Sequence, residues 1–144
     1  MFSDLAAGLG AGLLYGLVGT ALMVLGFVVV DMVIPGELRR HVWEDRNPNA
    51  AIVLGSALLG LGGIVTTAIA TSHEELGKGL AETAGYGILG ILLMGLSFLL
   101  VDVLVPGRLG RLGEMLADPV PHPASWVTAA ANVAVAAITA AAIA

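Results

Sequence analysis

The chain has no cysteine and few charged or aromatic residues. Among its 144 residues, 12% are charged and 5% are aromatic, whereas 58% are hydrophobic. The absence of cysteine excludes disulfides, thiolate catalysis and cysteine metal sites. A soluble domain usually has about 25% charged residues, so this chain has too few to cover itself with polar surface in water. Its net charge of -5, with no basic cluster, argues against nucleic acid as a partner.

Four long stretches carry no charge at all. A helix rises about 1.5 Å per residue, so roughly 20 apolar residues cross the hydrocarbon core of a bilayer. Each stretch has about that length or more. The sequence therefore predicts an all-α integral membrane protein with four transmembrane helices, whose first partner is the lipid bilayer. The stretches are Leu5 to Val30, Asn47 to Ser72, Thr83 to Val101, and Pro123 to Ala144.

The second half of the chain repeats the first. We expect two two-helix repeats, residues 1–72 with spans at about 5–34 and 49–71, and residues 73–144 with spans at about 82–105 and 123–144. Because an even number of spans separates equivalent positions, the repeats run parallel, and we expect a pseudo-twofold axis along the membrane normal. Gly16, Gly19, Met23, Phe27, Asp31, Pro35, Gly36 and Leu38 recur in order as Gly87, Gly90, Met94, Phe98, Asp102, Pro106, Gly107 and Leu109.

The basic residues lie mainly on one side of the predicted membrane. Arginines occupy the two connectors that follow Pro-Gly, at Arg39, Arg40, Arg46, Arg108 and Arg111, whereas Lys78 is the single basic residue on the opposite side. Short loops rich in lysine and arginine stay in the cytoplasm. This bias predicts inward connectors and both termini outside. Apolar residues spaced along each connector predict a short interfacial helix there, with Trp43 as an aromatic anchor.

Two motifs mark the expected starts of the second and fourth spans, Asn47-Pro48-Asn49 and Pro121-His122-Pro123. Asparagine is a favoured N-cap and proline is favoured at the first helical position.

The duplication and these motifs resemble a known bacterial membrane family. A span ending Asp-x-x-x-Pro-Gly, a charged connector, Asn-Pro-Asn-Ala-Ala and then Leu-Gly-Ser-Ala-Leu-Leu-Gly is similar to the domain of unknown function 350. The resemblance implies a small four-span protein of the bacterial inner membrane, with no assigned biochemistry. In the second repeat Pro123 stands where that family usually has asparagine, and the fourth span is rich in alanine. The first repeat carries the match through Asp31, Pro35, Asn49, Ala50, Ala51, Gly55 and Gly60.

Four polar residues are candidates for function within or beside the spans. Asp31 and Asp102 precede the Pro-Gly corners; they either line an ion path near the cytoplasmic mouth or pair with connector arginines to hold the corner. Asn49 belongs to the family motif. Asn132 lies in the middle of the fourth span and needs a hydrogen-bond partner, for which Thr66, Thr67 and Thr128 are candidates, either as structural glue or as pore lining.

Glycines form a second set of candidates, because small residues let helix backbones approach closely in lipid. The ladder on the first span packs either inside one bundle or against another protomer, which favours a homo-oligomer. The glycines are Gly8, Gly12, Gly16, Gly60 and Gly87.

No pattern predicts catalysis, a cofactor or a metal site. His41, His73 and His122 fall on separate loops without metal-ligand spacing, and no nucleophile, phosphate loop or dinucleotide motif is present. We therefore do not expect an enzyme. The leading hypothesis is an oligomeric channel or transport unit, or a subunit of one. The alternative is a non-conducting structural or adaptor protein that docks an unknown partner through its connectors.

Overall fold

The computed structural model describes residues 1–34, 36–73, 75–104 and 112–144. Pro35, Glu74 and residues 105–111 lie outside that part, and with them the second Pro-Gly corner, Leu109, Arg108 and Arg111. Six helices are described: α1 Phe2–Val33, α2 Leu38–Trp43, α3 Pro48–Ala70, α4 Leu76–Leu104, α5 Leu112–Ala117 and α6 Pro123–Ile143.

Four of these helices are long and apolar enough to cross a membrane, namely α1, α3, α4 and α6. The all-α, four-span prediction is confirmed. α1 and α4 are longer than their charge-free runs, because each continues past charged residues near its ends, as α1 does past Asp4 and Asp31. α1 and α4 run parallel to each other, as do α3 and α6, and each repeat contributes one long pair and one short connector helix. α4 begins at Leu76, earlier than the expected 82, because Lys78 is exposed in its first turn and the carboxylate of Glu82 pairs with His73.

Both predicted helix starts are confirmed. The side chain of Asn47 caps α3 by accepting hydrogen bonds from the backbone N–H groups of Asn49 and Ala50, and Pro48 takes the first helical position. At α6, the side chain of His122 accepts from the backbone N–H of Ala124, and a proline again follows the cap. These caps satisfy donors that the helix itself leaves without partners.

α3 and α4 form the centre of the bundle, with α1 on one side of this pair and α6 on the other. Both central helices pack on each other and on both flanking helices, and α3 is the most buried span whereas α1 is the least. The middle of the bundle is filled by large side chains that are almost completely buried: Leu61, Ile64, Met94 and Phe98.

The predicted pseudo-twofold axis is wrong. Such an axis would make α6 pack on α1 as closely as α3 packs on α4, yet α1 and α6 make no extensive contact. The reason lies in the alanine-rich sixth helix. α3 uses Leu61 and Ile64 to fill the space beside α1 and α4, with Leu61 placed against Gly26 of α1 and Ile64 against Gly90 of α4. Counting from the prolines that begin each helix, α6 has the smaller Ala136 and Thr139 at those positions.

Close helix approach depends on glycine at particular points. A Cβ on Gly60 would lie 2.8 Å from the Cβ of Ala136 and 2.9 Å from Cε of Met94. A Cβ on Gly87 would collide with the side chain of Leu22. Moving an apolar helix surface from lipid to a protein contact gains little free energy, because both surroundings are apolar. Close packing at such glycines therefore holds the helices together.

We expect Gly60→Ala to destabilise the bundle, because the new methyl group has no room between α3 and α6. Overpacking of this kind costs about 1–3 kcal/mol. Gly63→Ala is the matched control on the same helix, since a Cβ there meets nothing within 4 Å. Thermal unfolding in detergent micelles should show a lower midpoint for Gly60→Ala and an unchanged or higher one for Gly63→Ala. Equal midpoints would contradict the packing at Gly60.

Candidate functional site: the connector end of the bundle

The two connector helices, α2 and α5, lie at the same end of the bundle and touch each other and α3. Each turns its apolar residues inward: Leu38 on α2, and Leu112 and Leu116 on α5, are buried. The chain enters α2 through Gly36, whose φ of +113° lies in a region that favours glycine. The predicted short helices are therefore present, and they are seated on the bundle through these leucines.

Asp31 and Asp102 each hold the connector that follows them. Oδ1 of Asp31 accepts a hydrogen bond from the backbone N–H of Arg39 at 3.2 Å, and Oδ1 of Asp102 accepts one from the backbone N–H of Leu112 at 2.8 Å. Both N–H groups belong to the first turn of a connector helix, where intrahelical partners are missing. Both carboxylates are half-buried. Each aspartate thus accepts a backbone N–H of its connector. Within the described residues Asp31 forms no ion pair with Arg39 or Arg40, and the predicted pairing with Arg108 or Arg111 lies outside those residues.

Asn47 and Asn49 bind the second connector to the first repeat. The Nδ2 group of Asn49 donates to the carbonyl oxygens of Val120 at 2.8 Å and Asp118 at 3.1 Å, and its Oδ1 accepts from the backbone N–H of His122 at 2.8 Å. Nδ2 of Asn47 donates to the carbonyl of Asp118 at 2.8 Å. Asn49 is fully buried.

These bonds satisfy backbone groups in the turn before α6, which have no partner within a helix. They also explain how the second repeat can lack an asparagine at Pro123: the first repeat supplies the amides for the connector that leads into α6.

A cavity of about 570 Å³ opens between the end of α1 and α2. Its wall combines aromatic rings with charges of both signs. Phe27 and Trp43 meet edge to face with ring centroids 6.4 Å apart. The Arg40 side chain is 3.5 Å from the carboxylate of Glu44, an exposed ion pair. The lining residues are Phe27, Asp31, Glu37, Arg39, Arg40, Trp43 and Glu44.

Asn132 lies at the contact of α3 with α6, far from the connectors along the helix. Its Nδ2 donates to the hydroxyl of Ser56 at 2.9 Å, so the partner is Ser56 and not one of the predicted threonines. The hydroxyls of Thr67 and Thr128 bond instead to carbonyls of their own helices. Within the described residues, the buried Oδ1 of Asn132 has no hydrogen-bond partner.

The predicted packing glycines divide into two groups. Gly60 and Gly87 lie where neighbouring helices meet. Gly8, Gly12 and Gly16 lie on the exposed face of α1, and a Cβ added to any of them would meet nothing within 4 Å.

The three histidines have separate local roles. Nδ1 of His41 is 2.9 Å from the carboxylate of Asp45, and Nδ1 of His73 is 2.6 Å from that of Glu82. His122 caps α6. Across residues 1–34, 36–73, 75–104 and 112–144, no three metal-ligating side chains come together.

Sequence reasoning missed two features of this end. The hydrogen bonds of Asn47 and Asn49 to the second connector could not be predicted from the motif. They join residues about seventy positions apart, which come together only when the helices pack. The charged cavity was also missed, although its charges were visible on the connector. The bond between Ser56 and Asn132 could have been predicted from the sequence, because both are polar residues in the middle of a span.

We expect Asn49→Ala to loosen the second connector, because the carbonyl of Val120 and the N–H of His122 lose the partner that Asn49 provides, while the carbonyl of Asp118 keeps its bond from Asn47. Each buried polar group left unsatisfied costs about 1–3 kcal/mol. Limited proteolysis of membrane vesicles opened at the connector side should cut residues 112–122 faster than in the wild type. Asn132→Ala is the control, because its lost hydrogen bond lies away from the connector. Faster cleavage in both variants, or in neither, would contradict the role given to Asn49.

Comparison with known proteins agrees with this architecture. No solved structure matches the chain. A curated relative from Mycolicibacterium paratuberculosis, named a UPF0719 transmembrane protein, is 41% identical over 92% of this chain and 86% of its own length. Relatives of the same name from Mycobacterium bovis and Mycobacterium tuberculosis are 39% identical over 94% of this chain and 88% of theirs. Residues 4–143 match the family described as Domain of Unknown Function (DUF350). The chain is a transmembrane protein that belongs to the DUF350 family.

Proposed function

We propose that this protein is a non-conducting membrane adaptor that presents its two connectors as a rigid, charged docking platform. The observation that carries the proposal is the use made of Asp31 and Asp102. Each carboxylate accepts a backbone N–H of the following connector, so each is engaged in holding that connector in place. A carboxylate whose Oδ1 is bonded in this way has a structural role that requires no conducted ion.

The packing of the bundle supports the same proposal. Leu61, Ile64, Met94 and Phe98 fill the middle of the protomer between the central helices. The polar groups found there are few, and the amide of Asn132 is bonded to Ser56 across α3 and α6. A water-filled path along the protomer axis would need these side chains to move apart.

The surface of α2 supplies the docking chemistry. Arg39, Arg40, Glu44 and Asp45 are exposed on this helix and the turn after it, while Leu38 anchors the helix from below. Exposed charges of both signs on a fixed backbone favour a partner with a complementary polar surface.

We further propose a bacterial plasma membrane location with both termini outside and both connectors in the cytoplasm. The arginines of the connectors support this orientation. We also propose that the chain has no catalytic activity of its own.

We propose that the protein forms a homo-oligomer through α1. This helix is the least buried span, and its outer face carries Gly8, Gly12 and Gly16 at four-residue intervals with open space beside each. Helices with such ladders associate closely in membranes.

Conduction through an oligomer is the second candidate. It is favoured by the half-exposed positions of Asp31 and Asp102 at equivalent points of α1 and α4. A path of this kind would run between protomers.

We expect a charge swap on α2 to change what the protein contacts in the cell. Arg40→Glu combined with Glu44→Arg keeps an ion pair on the helix but reverses the charge at both positions. Quantitative in-cell cross-linking followed by mass spectrometry should lose specific neighbours of the wild type. Lys78→Glu, in the first turn of α4 at the opposite end of the bundle, is the control and should leave the neighbours unchanged.

The conduction candidate is separated from the adaptor by flux measurements in liposomes. Wild-type protein should pass protons and K⁺ no faster than liposomes without protein. If the wild type conducts, and Asp31→Asn with Asp102→Asn abolishes the current while the fold persists, the adaptor proposal fails. The asparagine side chain keeps an oxygen that can accept the connector N–H, so loss of current would then report loss of charge.

We expect Gly12→Leu to weaken the oligomer without unfolding the protomer, because the new side chain has open space within one chain but blocks close approach of a second. Light scattering coupled to size exclusion in detergent should give a smaller assembly. The thermal midpoint of the protomer should stay within a few degrees of the wild type. Gly55→Leu, at another position where a Cβ meets nothing within 4 Å, is the control. An unchanged mass for Gly12→Leu would place the interface elsewhere.

A further inference from the structure

The cavity between α1 and α2 stands at the boundary between hydrocarbon and headgroups. Asp31 is the first charged residue of α1 after Asp4, so the apolar run that crosses the bilayer ends where this cavity begins. Phe27 lies one turn earlier, on the apolar side of that boundary. A depression at this depth meets phospholipid headgroups, which occupy the layer just outside the hydrocarbon core.

The charges that line the cavity have both signs. Asp31, Glu37 and Glu44 supply carboxylates, and Arg39 and Arg40 supply guanidinium groups. A purely anionic ligand would face three carboxylates. A simple cation would not engage the guanidinium of Arg39, whereas Arg40 already pairs with Glu44. A ligand that carries an anionic phosphate and a cationic amine complements both sets, because guanidinium binds phosphate and carboxylate binds ammonium through charge-assisted hydrogen bonds.

The walls of the cavity are held in place before any ligand arrives. Asp31 is fixed to the backbone of Arg39 at 3.2 Å, which joins the end of α1 to α2. The rings of Phe27 and Trp43 meet edge to face and join the same two helices a turn away. The buried Leu38 seats α2 on the bundle. The volume of about 570 Å³ falls within the range of small-molecule sites, about 300–1,000 Å³.

We propose that this cavity binds a phosphoethanolamine group, the headgroup of phosphatidylethanolamine in the surrounding leaflet. The Arg39 guanidinium binds the phosphate. The ammonium group lies at the carboxylates of Asp31 and Glu37. Trp43, whose side chain is largely exposed, covers the glycerol end of the lipid, as tryptophan does at membrane interfaces.

Trp43 also serves as the reporter for a binding experiment. The chain has two tryptophans, so Trp126→Phe leaves Trp43 alone. This variant is titrated in micelles with short-chain phosphatidylethanolamine, phosphatidylcholine and phosphatidylglycerol, and with free phosphoethanolamine. We expect a saturable fluorescence change with phosphatidylethanolamine at a concentration at least tenfold lower than with the other two lipids. Phosphatidylcholine lacks N–H donors for the carboxylates, and phosphatidylglycerol lacks the amine.

Variants of the lining residues test the assignment of each charge. Asp31→Asn and Arg39→Gln should each raise the half-saturating concentration of phosphatidylethanolamine at least tenfold. Asp102→Asn is the matched control, because it alters the equivalent connector contact in the second repeat and should leave the titration unchanged.

The outcomes separate the sources of the ligand. If free phosphoethanolamine saturates the signal at the same concentration as the lipid, the site binds the headgroup chemistry from solution and the lipid assignment fails. An equal response to all three lipids, or a wild-type response that persists in Asp31→Asn and Arg39→Gln, overturns the proposal. Because the comparison between lipids uses the unaltered site, it remains decisive even if a lining variant fails to fold.

Discussion

Backbone N–H and C=O groups that have no partner within a helix must find one elsewhere, and the connector end of this bundle is organised around that requirement. Four spans can satisfy their own N–H and C=O groups along the helix, but the segments that join them cannot. Asp31 and Asp102 accept N–H groups from the two short helices, while Asn47 and Asn49 donate to carbonyls before α6. Polar side chains that the sequence presents as candidates for function therefore form hydrogen bonds with the protein's own backbone.

Packing between the spans is a second requirement, and it is set by the lipid. Since apolar surface gains little by moving from lipid to protein, association depends on how closely the helices fit. Gly60 beside Ala136, and Gly87 beside Leu22, provide that fit at the centre of the bundle. α1 contributes fewer buried residues than the other spans and keeps Gly8, Gly12 and Gly16 on its open side. The bundle is consequently well packed around α3 and α4, whereas much of the surface of α1 makes no contact with the other helices.

Much of this architecture could be predicted from the sequence. Charge-free runs gave the four spans, the repeat gave their parallel pairing, and Asn47-Pro48 and His122-Pro123 gave the starts of α3 and α6. The relation between the halves could not be predicted, because a sequence repeat fixes equivalent positions but not the rotation that packs them. The smaller Ala136 and Thr139 stand in α6 at the positions that Leu61 and Ile64 occupy in α3, so the two helices pack differently. The bonds of Asn49 likewise depend on contacts between residues about seventy positions apart, which local spacing does not reveal.

The bonds made by Asn49 have a consequence for how the two halves can diverge. The first half supplies side-chain amides, and the second half supplies the carbonyls and the N–H that receive them. Neither half can now replace the other, because the second half has His122 and Ala124 at the positions of Asn47 and Asn49, and two copies of it would lack the amide donors. After the duplication, the two halves have therefore become different in role, and each needs the other to form these hydrogen bonds.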